Sequence, residues 1–191
     1  MWPPVIEGFM MDNNIYPKRK RIRALNYDYS QQGAYFVTIC THNRQHLFGE
    51  IVCDNIVGAT LRGRPQCPDL MVEKWLGEIE NKFSNVKIDE YIVMPDHVHV
   101  IIFITGDHIG SPLRDVIDWY KTMTTNEYIR NVRDGLYVPF EKAVWQRSYY
   151  DRIIRNEDEL YEIRKYILEN PLRWYYEQIL ICDGDIRSHR L

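Results

Sequence analysis

Apolar residues recur along this chain with two different periods, and the switches between them outline the elements. From Gly33 to Thr41 the residues are mostly aromatic or β-branched, and Gln31 and Gln32 punctuate the start, which predicts a first strand. Two more apolar segments, Ile88–Met94 and Val98–Ile104, meet at Pro95 and Asp96 and predict the paired strands of a hairpin. Side chains alternate faces along a strand, so His97 and His99 project together while Val98, Val100, Ile102 and Ile104 project the other way. The period lengthens to that of a helix at Met71, Trp75, Ile79 and Phe83, with Leu76 widening the stripe. Leu113, Val116, Ile117, Tyr120 and Met123 or Thr124 mark a second helix from Pro112 to about Arg130, with Ser111 as its cap. Leu160, Ile163 and Ile167 mark a third. Asn156 followed by Glu159 caps its start, and Asn170–Pro171 is expected to end it, because proline disfavours the α conformation in the residue before it.

The remaining stretches are less regular. Ala143 to Ile154 reads as a last strand or extended segment carrying Trp145, Arg147, Tyr149 and Arg152. Ile51 to Ile56 is expected to form a short edge hairpin with Leu47 and Phe48, and Gly58 to Pro68 a turn-rich connection. The order strand, helix, strand, strand, helix, strand, helix predicts an α+β fold. It is a split βαβ arrangement of the ferredoxin or RRM kind, an antiparallel sheet with helices on one face, plus a C-terminal helix bearing Tyr166. The histidine strand is central there. Its Val and Ile set belongs to the helix layer, which leaves the histidine face for a ligand with the Tyr166 edge nearby. Residues 1–30 are expected to form a flexible extension with a basic arm, 31–175 the domain, and 176–191 a C-terminal tail.

Composition narrows the class. With 191 residues, 45% of them apolar, one well-packed core is within reach. A formal charge of -3 carries no global nucleic-acid signature, so such binding must rest on local patches. Lys18, Arg19, Lys20, Arg21 and Arg23 make one, with a solvated tail as the plain alternative, and Arg62 with Arg64 add two more cations; for Lys121 the plain alternative is a solubilising charge. Cys40, Cys53, Cys67 and Cys182 have no zinc-like spacing, the first residues do not resemble a signal peptide, and no apolar run approaches the ~20 residues of a membrane span. These features predict a cytoplasmic protein with reduced thiols and no membrane contact.

Two imidazoles side by side on an apolar strand are costly to desolvate unless something binds them, which makes His97 and His99 a candidate metal pair. His42 and His46, in a polar loop, are expected at the surface. On the third helix Tyr166 and Asn170 lie one turn apart, separated by only ~40° around the axis, and share a face beside the core stripe. A phenol, with a reference pKa of ~10, is a poor nucleophile at neutral pH without help. A divalent ion on His97 and His99, with the Asn170 carbonyl as a third ligand, would supply that help at a phosphate; two nitrogens with oxygen donors suit Mn2+ or Mg2+. Among 14 tyrosines most are packing residues, so only the relation of Tyr166 to the other three singles it out. Aromatic rings interleaved with Arg147 and Arg152 also fit a single-strand-binding surface, which leaves a non-catalytic nucleic-acid-binding module as the competing class. A water-using phosphohydrolase is a third reading, weakened by the lack of an Asp or Glu cluster beside the histidines.

His97-Val-His99 after Met94-Pro-Asp96 resembles the HUH signature of single-tyrosine transposases of the IS200-like kind, a superfamily shared with relaxases and rolling-circle initiators. Tyr166-Ile-Leu-Glu-Asn170-Pro171 resembles their tyrosine helix. Tyr27-Asp-Tyr, Leu47-Phe-Gly49, Trp145-Gln146 and Tyr149-Tyr-Asp151 resemble the branch associated with repetitive extragenic palindromes (REP). The likeness covers about residues 18 to 175. It implies cleavage and joining of single-stranded DNA near a hairpin through a 5′-phosphotyrosine, with Mg2+ or Mn2+ on His97 and His99 and Tyr166 as nucleophile. Asn170 stands where insertion-sequence members carry Gln, and the palindrome-associated branch accepts Asn. Insertion-sequence members act as dimers and the other branch can be monomeric, so monomer and homodimer both stay open. The phosphate contacts expected are Lys18, Arg19, Lys20, Arg21, Arg23, Arg62, Arg64, Lys121, Arg147 and Arg152, and the expected setting is the nucleoid.

Overall fold

The computed structural model of the chain describes residues 32–54, 58–62, 67–106 and 112–188, with side chains placed for all of these except 52–62 and 178–188. The elements run β1 (Gly33–Cys40), β2 (Glu50–Asp54), β3 (Gly58–Arg62), α1 (Pro68–Lys82), β4 (Val86–Met94), β5 (His97–Ile104), α2 (Pro112–Arg133), β6 (Tyr150–Ile154) and α3 (Glu157–Ser188). Four strands pair antiparallel in the order β4-β5-β1-β6, and β2 pairs with β3 in a separate hairpin. The fold is therefore α+β, with the split βαβ order the alternating periods imply. The histidine strand is interior, flanked by β1 and β4.

The two parities of β5 part as the pattern requires. Val98, Val100, Ile102 and Ile104 join Tyr35, Val37 and Ile39 of β1 in a core closed by Met71, Val72, Leu76 and Ile79 of α1 and Leu113, Val116, Ile117, Tyr120 and Tyr128 of α2. Burying each such side chain is worth roughly 1.5–3 kcal/mol, so this layer dominates stability. The opposite face holds a smaller cluster, Ile101 with Ile154, Leu160, Ile163 and Ile167, which seats α3. Glu159 N–H donates to Asn156 Oδ1 at 2.8 Å, and the Glu159 carboxylate accepts from Arg155 N–H at 2.9 Å, one residue earlier than the reciprocal bond of a capping box.

Four expectations need correction. β2 pairs with β3, in the register Glu50 to Arg62, and not with Leu47 and Phe48; the stretch expected as a turn-rich connection supplies that strand. Strand β6 begins only at Tyr150, so 143–149 is an irregular segment touching β1 through one bridge, Thr41 to Trp145. Trp145 and Tyr149 are core residues, and the Trp145 indole donates to Thr124 Oγ1 at 2.8 Å, so neither ring offers a stacking platform. Helix α3 passes through Pro171 to Ser188. Proline removes the N–H that would bond the Ile167 carbonyl, but burial of both Asn170 and Pro171 against the domain outweighs that loss. Ser111 and its cap lie outside the described residues.

Candidate active site

The site is assembled where β5 begins. Thr38 of β1 sits opposite His99, and Cys40 opposite His97, so one face of two paired strands carries both imidazoles and a hydroxyl. His97 Nδ1 lies 2.5 Å from Asp96 Oδ1, and His99 Nδ1 lies 2.8 Å from Thr38 Oγ1. The outer nitrogen of each ring is thus taken by an oriented partner, and the inner nitrogens converge, Nε2 to Nε2, at 3.1 Å. Burial works against the Asp96 carboxylate, yet the hydrogen bond from His97 and the His97 and Arg44 charges hold it below its ordinary value. Burial, then the neighbouring His97 and Arg44 charges, push His99 down to about 3, so that ring is neutral at physiological pH.

This donor set fits a divalent cation. A carboxylate only accepts, so His97 Nδ1 carries a proton and Nε2 is left as the coordinating nitrogen. If His99 likewise donates to Thr38, two lone pairs face each other at 3.1 Å and repel unless a cation lies between them. In the other tautomer Thr38 donates to His99 Nδ1 and one Nε2–H bridges the pair. Among the described residues no group of three or more His, Cys, Asp or Glu is placed to hold a metal.

Helix α3 delivers the other half. Tyr166, Asn170, the adjacent pair Arg173 and Trp174, and Glu177 recur at roughly one-turn spacing and line a cavity of about 330 Å3 with Thr38, Arg44, Asp96, His97 and His99. The Tyr166 ring meets His99 edge-on, centroids 5.3 Å apart, and Phe36 at 6.0 Å, while the Arg173 guanidinium lies 5.6 Å from its centre. Tyr166 is 36% exposed, so the phenol opens to the cavity rather than the core. Asn170 is buried and its side chain takes no hydrogen-bond partner among the described residues, which leaves its carbonyl oxygen free. The helix is pinned beside the site by Arg164, whose fork grips Asp89 at 2.7 and 2.8 Å beside the irregularity between Ile88 and Tyr91 in β4.

The residues expected to form the centre, His97, His99, Tyr166 and Asn170, thus come together. The cations expected to meet phosphate do not form one group. Arg152 shares the site face, opposite Phe36, and pairs with Glu159; Arg147 is exposed in the irregular segment. Lys121 gives its ammonium to the carbonyls of Gln146 and Ser148, both at 3.0 Å, and burial, partly offset by Asp118, pulls it down to about 8. Lys18, Arg19, Lys20, Arg21, Arg23 and Arg64 lie outside the described residues, as does the Arg62 side chain. Pattern reading missed Thr38, Arg44, Asp96, Arg173, Trp174 and Glu177. Asp96, adjacent to His97, was open to detection; Thr38 required the strand register, and the last three required a helix that continues past Pro171.

Residues 29–170 match the protein family described as transposase IS200 like. An uncharacterized protein of Haemophilus influenzae is 32% identical over 177 residues, 85% of this chain and 93% of that relative. A second Haemophilus influenzae protein, named as a candidate REP-associated tyrosine transposase, is 24% identical over 91 residues, 46% of this chain and 51% of its own length. Among solved structures, a REP-associated tyrosine transposase bound to a REP hairpin is 18% identical with a TM-score of 0.44, covering 79% of this chain and 74% of that one. A transposase candidate from Deinococcus radiodurans is 17% identical with a TM-score of 0.45, covering 78% and 96%.

Proposed function

The chain belongs to the family of IS200-like transposases, and from that premise we propose that it cleaves and rejoins single-stranded DNA beside a palindromic hairpin through Tyr166. A divalent cation, Mg2+ or Mn2+, would be held by His97 and His99, with the Asn170 carbonyl as the third protein donor. The observation that carries this reading is the convergence of the paired Nε2 atoms, the Tyr166 ring and Asn170 on one cavity.

The division of labour follows from the side chains. Bound there, such a cation would supply charge stabilisation for the phosphate oxygens and polarise the phosphorus centre. Asp96 and Thr38 fix the ring planes so that both Nε2 atoms present lone pairs inward. Tyr166 loses its phenolic proton to solvent, and its oxygen forms a bond to phosphorus as the bond to the 3′ oxygen breaks. That oxygen leaves with the electron pair and takes up a proton. One phosphodiester is exchanged for another, a 5′-phosphotyrosine, so no ATP is consumed and attack by a 3′-hydroxyl reverses the step. The Arg173 guanidinium, 5.6 Å from the ring centre, helps to hold the Tyr166 ring in place through a cation–π contact.

Phosphate contacts away from the centre are assigned to Lys18, Arg19, Lys20, Arg21, Arg23, Arg62, Arg64, Arg147 and Arg152, with Lys121 acting through the loop whose carbonyls it holds. Deleting residues 1–23 is expected to flatten the dependence of log affinity on log salt, by about 0.7 for each phosphate of the single strand that the arm neutralises; an unchanged slope removes the arm. The deciding experiment incubates the protein with hairpin DNA carrying a single-stranded flank and Mn2+. A denaturation-resistant protein-DNA adduct mapping to Tyr166, absent with Tyr166→Phe and with chelator, is expected. A free 5′-phosphate product with no protein attached, or an adduct that survives Tyr166→Phe, overturns the mechanism.

A further inference from the structure

The turn after β1 holds two successive residues in the left-handed region, Asn43 at φ 54° and Arg44 at φ 55°. A side chain such as that of arginine disfavours this conformation, which persists only where the surroundings over-determine it. Here they do. Thr41 N–H and Oγ1 reach the Asp96 carbonyl at 2.9 and 3.0 Å, and Phe48 N–H donates to the Pro95 carbonyl at 3.1 Å. Gln45 Nε2 donates to the His42 carbonyl at 2.9 Å, and its Oε1 accepts from Glu141 N–H at 2.9 Å. The turn is thereby laced to the Pro95–Asp96 corner that launches the histidine strand.

What the strained backbone delivers is the Arg44 side chain at the mouth of the cavity. One guanidinium nitrogen bonds Asp96 Oδ2 at 3.2 Å, the side chain is 51% exposed, and among the described residues its other guanidinium donors have no partner. An ion pair so open to water on the arginine side is weak, and it leaves the guanidinium able to take a second partner. The other arginine lining the cavity, Arg173, already has Glu169 at 3.0 Å.

We propose that Arg44 grips the phosphate at the cleavage point, with one arm of its planar fork steadied by Asp96 and the other turned to the phosphate oxygens. The inference rests on the reading of the site as a Tyr166 strand transferase. It assigns to this turn a direct hold on the reacting group, in the geometry a guanidinium offers and an ammonium does not.

Arg44→Gly tests it cleanly, because glycine adopts the left-handed region without strain; Arg44→Asn, also tolerant of that region, repeats the comparison. Expected for both are a thermal midpoint no lower than wild type, Mn2+ affinity of the DNA-free protein within about threefold, and adduct formation slowed about 100-fold at saturating DNA and metal. Arg44→Lys recovers only a minor part of the rate. On DNA with a neutral methylphosphonate at the cleaved linkage the Arg44→Gly penalty shrinks towards nothing, since the charge it would grip is gone. An undiminished rate, a loss that excess Mn2+ restores, or an equal penalty on the neutral linkage overturns the assignment while wild-type adduct formation stands. A wild-type protein that forms no Tyr166 adduct overturns the broader reading instead.

Discussion

On one face of the sheet Val98, Val100, Ile102 and Ile104 are sealed beneath α1 and α2; on the other, from the same strand, His97, His99 and Ile101 meet α3. The first interface is dry and continuous. The second is apolar only at the end where Ile101 touches Leu160, Ile163 and Ile167, and opens into a polar cavity at the other. Helix α3 is fastened by that smaller cluster and by the polar staples Arg164–Asp89 and Arg152–Glu159. The main core and the proposed chemistry are thus separated by the two-residue period of a single strand, and the helix carrying the proposed nucleophile, Tyr166, is the more lightly held.

The strongest test of that separation substitutes neighbours of opposite parity. His99→Asn keeps a polar group near Thr38 and is expected to slow adduct formation about 1,000-fold, some 4 kcal/mol of barrier. Its urea unfolding free energy at pH 7.5 should stay within about 1 kcal/mol of wild type. Ile102→Ala, on the sealed face, should do the reverse, losing about 3 kcal/mol of stability while the rate per folded molecule is unchanged. Parallel losses of rate and stability in both variants would show that the faces are not independent.

The same contrast explains what the sequence could disclose. Period-2 and period-3.6 patterns arise wherever an element buries one side, so β1, β4, β5 and the buried stripes of all three helices were legible. Asn156 and Glu159 marked the start of α3 because a cap is local chemistry. Its end was not legible, since the rule against helix at Asn170–Pro171 is a local preference and burial of both residues is a tertiary fact. In the site, His97 and His99 betray themselves by parity and Tyr166 with Asn170 by helical spacing. Thr38 faces His99 only through strand register, and Arg44 enters through a turn with no period at all. Trp145 and Tyr149 misled because their spacing mimics a strand where the chain is irregular.

Acid should read the buried ring directly. His99 titrates at about 3 in the fold against 6.5 for its unperturbed value. Between those values the unfolded chain binds more protons, so this group's contribution to stability is full above pH 6.5, falls as pH falls, and levels off below about 3. At pH 5 the loss amounts to about 2 kcal/mol, counting about 1.4 kcal/mol for each pH step below 6.5. His99→Asn should flatten that limb of the stability curve; an acid limb of unchanged slope would assign the loss to other groups.

The smallest effect tests how α3 is held. Arg164 is 40% exposed and Asp89 24%, so their forked bond lies in partial contact with water and is worth less than about 1 kcal/mol. Arg164→Met keeps the aliphatic stem and removes only the fork, so the thermal midpoint should move by no more than a few degrees. Because the fork sits two residues before Tyr166 and clamps the helix to β4, its loss lets the phenol wander relative to the histidines. Geometry of a reacting group is felt more steeply in rate than in stability. We therefore expect a severalfold slower adduct step with Mn2+ affinity unchanged, since both imidazoles belong to the sheet. A drop in Mn2+ affinity in this variant would mean that Asn170, four residues beyond Tyr166 on the same helix, carries a large share of the metal binding, and that α3 helps to build the proposed cation seat as well as delivering the proposed nucleophile.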